Sequence, residues 1–232
     1  MRVGAIIFSR MSSGRLPGKA MVDISGKTLL HRVIERTKSI KLIDHMCVAT
    51  SLNPEDDIIE STANSFGIDI YRGSLNDVAD RAFNAANKFG YDHFLRVCGD
   101  RPFLDYKIYD ELISNHIKDC NDLTTNIFPR KVPPGLTGEV INVKALEKVL
   151  SLTKNQEDRE HVTRYFYQNS SDFKIQNVAS HNFNNIDNVR LVIDDEKDLS
   201  RAEWILKKIK QNGNVVDIQE IISLARLWKK NN

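Results

Sequence analysis

Cysteine is scarce in this sequence, and long apolar runs are missing. The three cysteines, Cys47, Cys98 and Cys120, are widely spaced and form no CxxC pair, which argues against a disulfide framework and against a structural zinc site. The first apolar run, residues 3–8, is too short for a secretion signal and far too short for a membrane span. We therefore expect a reducing environment, a cytoplasmic location and no membrane partner.

An excess of charge of one sign is also missing. Lys and Arg total 33 and Asp and Glu total 31, and the resulting formal net charge of +2 argues against a nucleic acid that binds the whole surface. The length of 232 residues and the hydrophobic share of 41% suffice for one core, and the sequence shows no repeat and no clear linker. It thus predicts a single domain over residues 1–232, with any phosphate binding confined to a local site.

Short apolar runs alternate with helical patterns in the first hundred residues. The runs predict strands, and the segments between them predict helices. Such alternation favours right-handed βαβ units. The predicted fold is therefore α/β, a single mainly parallel sheet with helices on both faces, whose ligands bind at the carboxyl ends of the strands. The predicted strands are 3–8, 46–50, 68–71 and 92–97, and the predicted helices are 28–39, one that begins at 53, and 77–89.

The order of elements is less regular beyond residue 105. We interpret residues from about 105 to 180 as an inserted α+β subdomain that lies over the sheet. The patterns predict helices at 106–118, 144–152, 157–168, 196–210 and 217–228, and strands at 122–126, 138–143, 173–178 and 189–193.

The polar loop after the first strand runs Ser9-Arg10-Met11-Ser12-Ser13-Gly14-Arg15-Leu16-Pro17-Gly18-Lys19. Backbone amides near glycine, together with arginine and lysine side chains, are suited to a triphosphate. The loop matches neither GxxxxGK(S/T) nor GxGxxG, which disfavours a P-loop ATPase and a dinucleotide-dependent dehydrogenase. A solvated basic loop is the alternative, but the position directly after the first strand favours phosphate binding.

Acidic residues follow two later segments of the predicted sheet. Asp100 lies beside a glycine after the fourth strand, where a carboxylate can approach a metal-bound triphosphate, and oxygen ligands suit Mg²⁺. The alternative for Asp100 is a cap of the turn before Pro102. Asp194 and Asp195 precede a predicted helix, where an N-cap with a first-turn acid is the structural alternative.

Together these segments resemble the CMP-sugar synthetases, the cytidylyltransferases that activate acidic sugars such as Kdo and sialic acids. The resemblance is greatest to the type called spore coat polysaccharide biosynthesis protein F. The family's first motif has the form Q-A-R-x-x-S-x-R-L-P-x-K, which is matched here at Arg10, Ser13, Arg15, Leu16, Pro17 and Lys19, whereas Phe8-Ser9 replaces Gln-Ala. Further segments in the family's order are ATSLNPEDD, YRGSLNDVADR, CGDRP, REHVT and VIDDEKDL, so the resemblance extends to about Leu199.

This resemblance implies a fold like that of the nucleotide-diphospho-sugar transferases, and a reaction in surface polysaccharide or glycan biosynthesis. CTP and an acceptor hydroxyl would give a CMP-linked product and pyrophosphate, and direct displacement needs no protein nucleophile. The implied cofactor is Mg²⁺, the implied partners are CTP and a small sugar-type acceptor, and the implied assembly is a homodimer formed through the inserted subdomain. The implied roles are catalysis for Arg10, Arg15, Lys19 and Asp100; nucleotide binding for Ser9, Ser13, Gly14, Arg72 and Arg81; acceptor binding for Glu139, Arg159 and His161; and metal binding for Asp100 and Asp194.

Structural alternatives stay open for several of these residues. His161 is also consistent with a hydrogen-bonded structural residue of a helix, and Arg72 and Arg81 with ordinary surface ion pairs. Asp195 replaces the family's usual threonine, and we interpret it as part of a helix cap. Thr137 stands where relatives have an acidic residue, so the sequence does not identify the acceptor.

Two other functions also stay open. One is a nucleotidyltransferase that takes a phosphorylated acceptor and makes an NDP-sugar or an NDP-alcohol, although such enzymes usually carry a G-x-G-x-R-L loop, and this sequence has Arg10 and Ser12-Ser13 there. The other is a noncatalytic accessory protein of glycan biosynthesis. Its only support is the set of departures at Phe8-Ser9, Thr137 and Asp195.

Overall fold

The computed structural model describes residues 1–178, 183, 186–211 and 217–231, apart from the side chain of Asp187. Residues 179 and 180, at the predicted end of the inserted subdomain, lie outside the described residues. The strands are β1 (Val3–Phe8), β2 (His45–Ser51), β3 (Asp69–Gly73), β4 (His93–Cys98), β5 (Leu123–Thr125), β6 (Glu139–Asn142) and β7 (Ile175–Asn177). They form one seven-stranded sheet in the order β3-β2-β1-β4-β6-β5-β7.

The sheet is mainly parallel, as predicted. β1 pairs in parallel with β2 and β4, and β2 pairs in parallel with β3. β6 is antiparallel to both β4 and β5, whereas β7 is parallel to β5. In the register, Phe8 stands opposite Ala49 on one side and Cys98 on the other. The carboxyl ends of β1, β2 and β4 therefore lie together at one edge of the sheet.

Helices cover both faces of the sheet, which confirms the predicted fold class. They are α1 (Leu29–Lys38), α2 (Asp57–Ser65), α3 (Val78–Lys88), α4 (Tyr106–Asp119), α5 (Val143–Leu152), α6 (Gln156–Glu160), α7 (Arg164–Gln168), α8 (Glu196–Gln211) and α9 (Ile218–Asn231). Buried side chains of α1, α2, α4, α8 and α9 form one core, and those of α3, α5 and α7 form the other. Ile7 packs in the first core and the preceding Ile6 in the second, because successive side chains of a strand point to opposite faces. Within the described part of the chain, no helix is long and apolar enough to cross a membrane.

The single helix predicted over 157–168 is wrong, because the structure breaks it between α6 and α7. His161 ends α6 with φ −104° and ψ 82°, outside the helical region. Val162 is fully buried in the second core, whereas Glu160 and His161 line a cavity. The break lets Val162 point into the core while Glu160 and His161 face the cavity. Helical periodicity alone does not reveal such a break.

The strand predicted over 189–193 is also wrong. Alternate residues of this segment are buried, which produced the strand pattern. The amide of Leu191 donates to the carbonyl of Pro134 at 2.8 Å, and that of Ile193 donates to the carbonyl of Asp100 at 3.0 Å. Because these two acceptors belong to separate loops, the segment forms no continuous ladder.

The predicted inserted subdomain contributes β5, β6 and β7 to the sheet itself, next to β4. These strands extend the sheet on one side and do not lie over it. The role of residues 105–180 in acceptor binding or dimerisation stays a prediction.

Candidate active site

A cavity of about 480 Å³ lies at the carboxyl ends of β1 and β4. Most of the residues with predicted roles line it, namely Ser9, Arg10, Ser13, Gly14, Arg15, Lys19, Arg81, Asp100, His161 and Asp194. The lining also includes Phe8, Val78, Arg96, Cys98 and Glu160. The structure thus brings together residues that are almost 190 positions apart in the sequence.

Lys19 joins the two predicted metal-binding carboxylates. Its Nζ lies 3.0 Å from Oδ1 of Asp194 and 3.4 Å from Oδ2 of Asp100, and it also donates to the carbonyl of Ile193 at 3.0 Å. The two carboxylate oxygens are therefore no more than about 6.4 Å apart, the sum of their distances to the same nitrogen. In this arrangement the ammonium group neutralises carboxylates that would otherwise repel each other.

Asp194 is surrounded by cations. Besides the bond from Lys19, its Oδ2 accepts a hydrogen bond from Nη2 of Arg190 at 2.7 Å and lies 3.0 Å from Nη2 of Arg15. Burial raises the pKa of Asp194, but these cations outweigh burial and hold the pKa below its ordinary value. The carboxylate is therefore ionised at neutral pH.

The loop between β1 and Lys19 closes around one carbonyl. The amides of Ser13 and Gly18 both donate to the carbonyl of Met11 at 2.9 Å. Gly18 has φ +73°, a left-handed conformation that glycine adopts without steric cost. The turn places Lys19 directly in the cavity.

Asp56 anchors the base of this loop, although the sequence did not indicate it as a functional residue. Its side chain is fully buried and accepts hydrogen bonds from the amide of Met11 at 2.7 Å and from the hydroxyl of Thr50 at 2.8 Å. It also accepts from the amide of Ser51 at 3.0 Å. Burial raises the pKa of Asp56, but the hydrogen bonds outweigh burial and lower the pKa below its ordinary value.

Gly99 permits the close approach of the Asp100 loop to β1. Its amide donates to the carbonyl of Phe8 at 2.8 Å, and a Cβ at this position would lie only 2.7 Å from the same oxygen. A side chain would therefore push Asp100 away from the cavity.

Asp100 and Asp194 fit a divalent cation. Oδ1 of Asp100 is buried and has no hydrogen-bond partner among the residues that the structure describes, and Asp194 is ionised. The described residues contain no group of three or more His, Cys, Asp and Glu side chains that could hold a metal ion. Further ligands would therefore be phosphate oxygens and water, which matches the way Mg²⁺ usually binds to one or two carboxylates beside a nucleotide.

Another part of the cavity lining combines an apolar surface with a buried cation. Phe8 and Val78 supply the apolar surface, and the guanidinium carbon of Arg81 lies 5.9 Å from the centroid of the Phe8 ring. Arg81 is 2% exposed, and its Nη1 donates to the carbonyl of Ser74 at 2.6 Å. Burial, with a smaller contribution from Arg10, lowers the pKa of Arg81 to about 10, so it stays protonated at neutral pH. A flat apolar surface beside a fixed cation is suited to a base and its sugar.

Arg96 lines the cavity, and its guanidinium group is fixed by a residue outside the lining. Its Nη1 donates to Oε2 of Glu139, the residue opposite it in the register of β4 and β6. Glu139 is 3% exposed and also accepts from the hydroxyl of Tyr167 at 2.6 Å. Burial raises the pKa of Glu139, but Arg96, followed by Tyr167, outweighs burial and lowers it. Glu139 therefore does not line the cavity but positions a cation that does.

Arg72 and Arg159 also lie outside the lining of the cavity. Nη1 of Arg72 is 2.6 Å from Asp57 and 2.8 Å from Glu60, the ion pairs that the sequence left as an alternative. Nε of Arg159 donates to Asp77 at 2.9 Å, which links α6 to the start of α3. The nucleotide-binding role of Arg72 and the acceptor-binding role of Arg159 stay predictions.

Three further residues around the cavity were given no site role of their own from the sequence, although Glu160 was noted beside His161 as compatible with acceptor recognition. Arg96 is a cation inside an otherwise apolar strand, a signal that was present. Glu160, whose Oε1 lies 3.8 Å from Nη2 of Arg10, is the neighbour of His161 and was equally visible. Arg190 gave no signal, because its contact with Asp194 depends on the path of the irregular segment between them.

Comparison with known proteins gives a consistent result. Residues 4–222 match the family model described as cytidylyltransferase. The chain is 29% identical to the spore coat polysaccharide biosynthesis protein SpsF of Bacillus subtilis, over 94% of this chain and 92% of that protein. It superposes on a cytidylyltransferase from Leptospira borgpetersenii serovar Hardjo-bovis with a TM-score of 0.88 and 29% identity, covering 100% of this chain and 95% of the other.

A more distant structure shows the same fold. It is CMP:2-keto-3-deoxy-manno-octonic acid synthetase complexed with CTP, with a TM-score of 0.67 and 16% identity, over 90% of this chain and 99% of that chain. The family model spans nearly the whole chain and includes both the loop cations and the paired aspartates. The chain therefore belongs to the cytidylyltransferase family and is a CTP-dependent nucleotidyltransferase.

Proposed function

We propose that the protein transfers CMP from CTP to a hydroxyl of an acidic sugar or a related acceptor, and releases pyrophosphate, in the biosynthesis of a surface polysaccharide or glycan. The observation that carries this proposal is the convergence of Lys19, Asp100 and Asp194 on the cavity that also contains the loop cations. The names of the relatives support the reaction class and the polysaccharide pathway.

The loop cations are suited to the triphosphate. In the reaction the acceptor hydroxyl loses its proton to water and its oxygen forms a bond to the α-phosphorus, while the bond from that phosphorus to the oxygen shared with the β-phosphate breaks. Negative charge then develops on the leaving pyrophosphate, where Arg10, Arg15 and Lys19 would stabilise it. Mg²⁺ held by Asp100 and Asp194 would neutralise phosphate charge.

The contacts of Lys19 with the two aspartates also bear on how the metal site forms. Lys19 pairs with both aspartates, and it would exchange these contacts for phosphate oxygens when CTP binds. The exchange keeps the ammonium group paired throughout, because a phosphate oxygen replaces a carboxylate oxygen. The aspartates then become available to a cation.

The acceptor would lie beside the break between α6 and α7. His161 and Glu160 line this side of the cavity, and Arg96 presents a cation to it. Such a cation is suited to an acidic acceptor. We include in the proposal a homodimer and a cytoplasmic location. The latter is supported by the three cysteines, which are all free thiols.

Pyrophosphate release with CTP and a panel of acceptors tests this proposal. We expect release with a keto-sugar acid and only background release with sugar phosphates or with no acceptor. Release with a sugar phosphate alone would instead show an NDP-sugar-forming enzyme. CTP binding without release with any member of the panel would favour a noncatalytic accessory protein.

A further inference from the structure

Asp198 is a buried carboxylate beside the predicted metal ligand Asp194. It is 3% exposed and does not line the cavity, so it does not contact a substrate there. It belongs to the first turn of α8, and Asp194 lies just before that turn. Any influence of Asp198 on the site must therefore act through the residues that it contacts.

Asp198 fixes the main chain of Asp194. Its Oδ2 accepts a hydrogen bond from the amide of Asp194 at 3.0 Å, and its own amide donates to Oδ1 of Asp195 at 2.8 Å. These two bonds resemble a capping box at the start of α8, and a capping box by itself only stabilises the helix. They also set the point from which the side chain of Asp194 leaves the backbone.

Asp198 also fixes the side chain of Asp194, through Arg190. Nε of Arg190 lies 3.1 Å from Oδ1 and 3.2 Å from Oδ2 of Asp198, and Nη2 of Arg190 donates to Oδ2 of Asp194 at 2.7 Å. Burial lowers the pKa of Arg190, but Asp198, followed by Asp194, outweighs burial and raises it. One planar guanidinium group thus bridges two carboxylates, which a helix cap does not require. Because the geometry of this group is rigid, the bridge restricts rotation of the Asp194 carboxylate.

The bridge gives the two oxygens of Asp194 different surroundings. Oδ2 is bonded to Arg190 and also lies 3.0 Å from Nη2 of Arg15, whereas Oδ1 accepts from Nζ of Lys19 at 3.0 Å. The same Nζ lies 3.4 Å from Oδ2 of Asp100. When Lys19 exchanges its contacts for phosphate oxygens, Oδ1 keeps its place near Asp100, because Arg190 still holds Oδ2.

We propose that Asp198 is a positioning residue for the metal that accompanies CTP. Through the amide of Asp194 and through Arg190, it holds Asp194 so that Oδ1 is the oxygen offered to the cation. A ligand oxygen that is already in place loses less conformational freedom when the cation binds, and groups behind metal ligands commonly have this effect. The inference rests on the metal-binding part of the proposed function and not on the identity of the acceptor.

CTP binding with and without metal tests the proposal and needs no turnover. Isothermal titration calorimetry of the whole chain with CTP, once in Mg²⁺ and once in EDTA, gives two affinities. Their ratio measures how much the metal strengthens CTP binding. D198N should reduce this affinity ratio by about tenfold, the usual effect of losing a group that orients a metal ligand. The affinity in EDTA should stay within about twofold of the wild-type value. An unchanged affinity ratio in D198N overturns the proposal.

R190K separates the position of Asp194 from the charge around it. Lysine keeps the positive charge, but its single ammonium group does not reproduce the planar bridge between Asp194 and Asp198. The affinity ratio should therefore also fall in R190K, by at least about threefold. If D198N lowers the ratio and R190K does not, the loss of one negative charge near the metal explains the result and the positioning role is refuted. Because the side chain of Arg190 is 40% exposed, R190K should fold and decide the question even if D198N does not fold.

D158N is the matched control for the loss of a buried carboxylate. Asp158 is 5% exposed, pairs with Arg164 and accepts from the hydroxyl of Thr153 at 2.8 Å. D158N should lower the midpoint of thermal unfolding, as D198N does, but leave the affinity ratio unchanged. An equal fall of the ratio in both variants would assign the effect to general destabilisation and overturn the proposal. A wild-type protein whose CTP affinity does not depend on Mg²⁺ would remove the metal site of the proposed function, whereas a wild-type ratio that D198N retains refutes the positioning role alone.

Discussion

The cavity and the network of Arg96, Glu139 and Tyr167 behind it both pair arginines with carboxylates. The two sets of ion pairs differ in how exposed their side chains are. Arg15, which pairs with Asp194, has a side chain that is 66% exposed, whereas Glu139, which pairs with Arg96, has one that is 4% exposed. Exposed ion pairs contribute little to stability and exchange readily. Breaking a buried pair leaves a charge without water or a partner. The pair of Arg15 can therefore be replaced by substrate phosphates, while the network of Glu139 acts as a scaffold.

The largest expected effect is on the scaffold. E139A removes the carboxylate that pairs with Arg96 and should lower the free energy of unfolding by about 3–5 kcal/mol, because a buried cation loses its partner. Urea denaturation measures this change. E160A is the matched control, since it breaks the half-exposed pair with Arg10 and should cost less than about 1 kcal/mol. Equal losses in the two variants would remove the distinction between scaffold and cavity.

The next effect is on turnover. K19A should reduce kcat/KM by about 2–4 kcal/mol of transition-state stabilisation. It should also lower the free energy of unfolding of the free protein, because Asp100 and Asp194 lose the ammonium group that neutralises them. R15A should cost less, since Arg15 is two-thirds exposed. Steady-state pyrophosphate release measures both. A K19A enzyme with the kcat/KM of the wild type would exclude Lys19 from catalysis.

The same contrast explains what could be predicted from the sequence. The loop cations and β1 to β4 were predicted because apolar runs and motif order are local features, and the register of parallel strands then places their ends together. The partner of Glu139 and the ion pairs of Arg72 join different elements, and no local pattern encodes them. The false strand at 189–193 has the same cause, since its alternating burial is real but its hydrogen-bond acceptors belong to separate loops.

Asp56, which anchors the base of the loop after β1, extends the comparison to a buried carboxylate whose hydrogen-bond partners are neutral. The pKa of Asp56 is lowered in the fold, so its contribution to stability is complete above the ordinary carboxylate pKa and is lost as the pH falls through the lowered value. D56N should therefore be less stable than the wild type at neutral pH by about 1–3 kcal/mol. This difference should shrink in acid.

Thermal or urea unfolding at several pH values measures that difference. D57N is the control. The side chain of Asp57 pairs with Arg72 but is 65% exposed, so this substitution should change stability little at any pH. A difference between D56N and wild type that does not depend on pH would assign the effect to packing and not to the ionised carboxylate.

The smallest expected effect is at the acceptor side, where the comparison is finest. His161 is exposed at the break between α6 and α7 and lines the cavity, whereas Arg159, two residues earlier, is turned to Asp77. H161A should raise the acceptor KM or lower the rate, yet leave CTP affinity within about twofold, a change well under 1 kcal/mol. R159A should lower the stability, because its partner caps α3, and its effect on the acceptor KM tests the acceptor-binding role predicted for Arg159. Acceptor titrations at saturating CTP, with CTP affinity measured separately, distinguish the two.

Equal weakening of CTP and acceptor by H161A would place His161 at the nucleotide, and a loss of thermal stability with normal kinetics would make it a structural residue of the break.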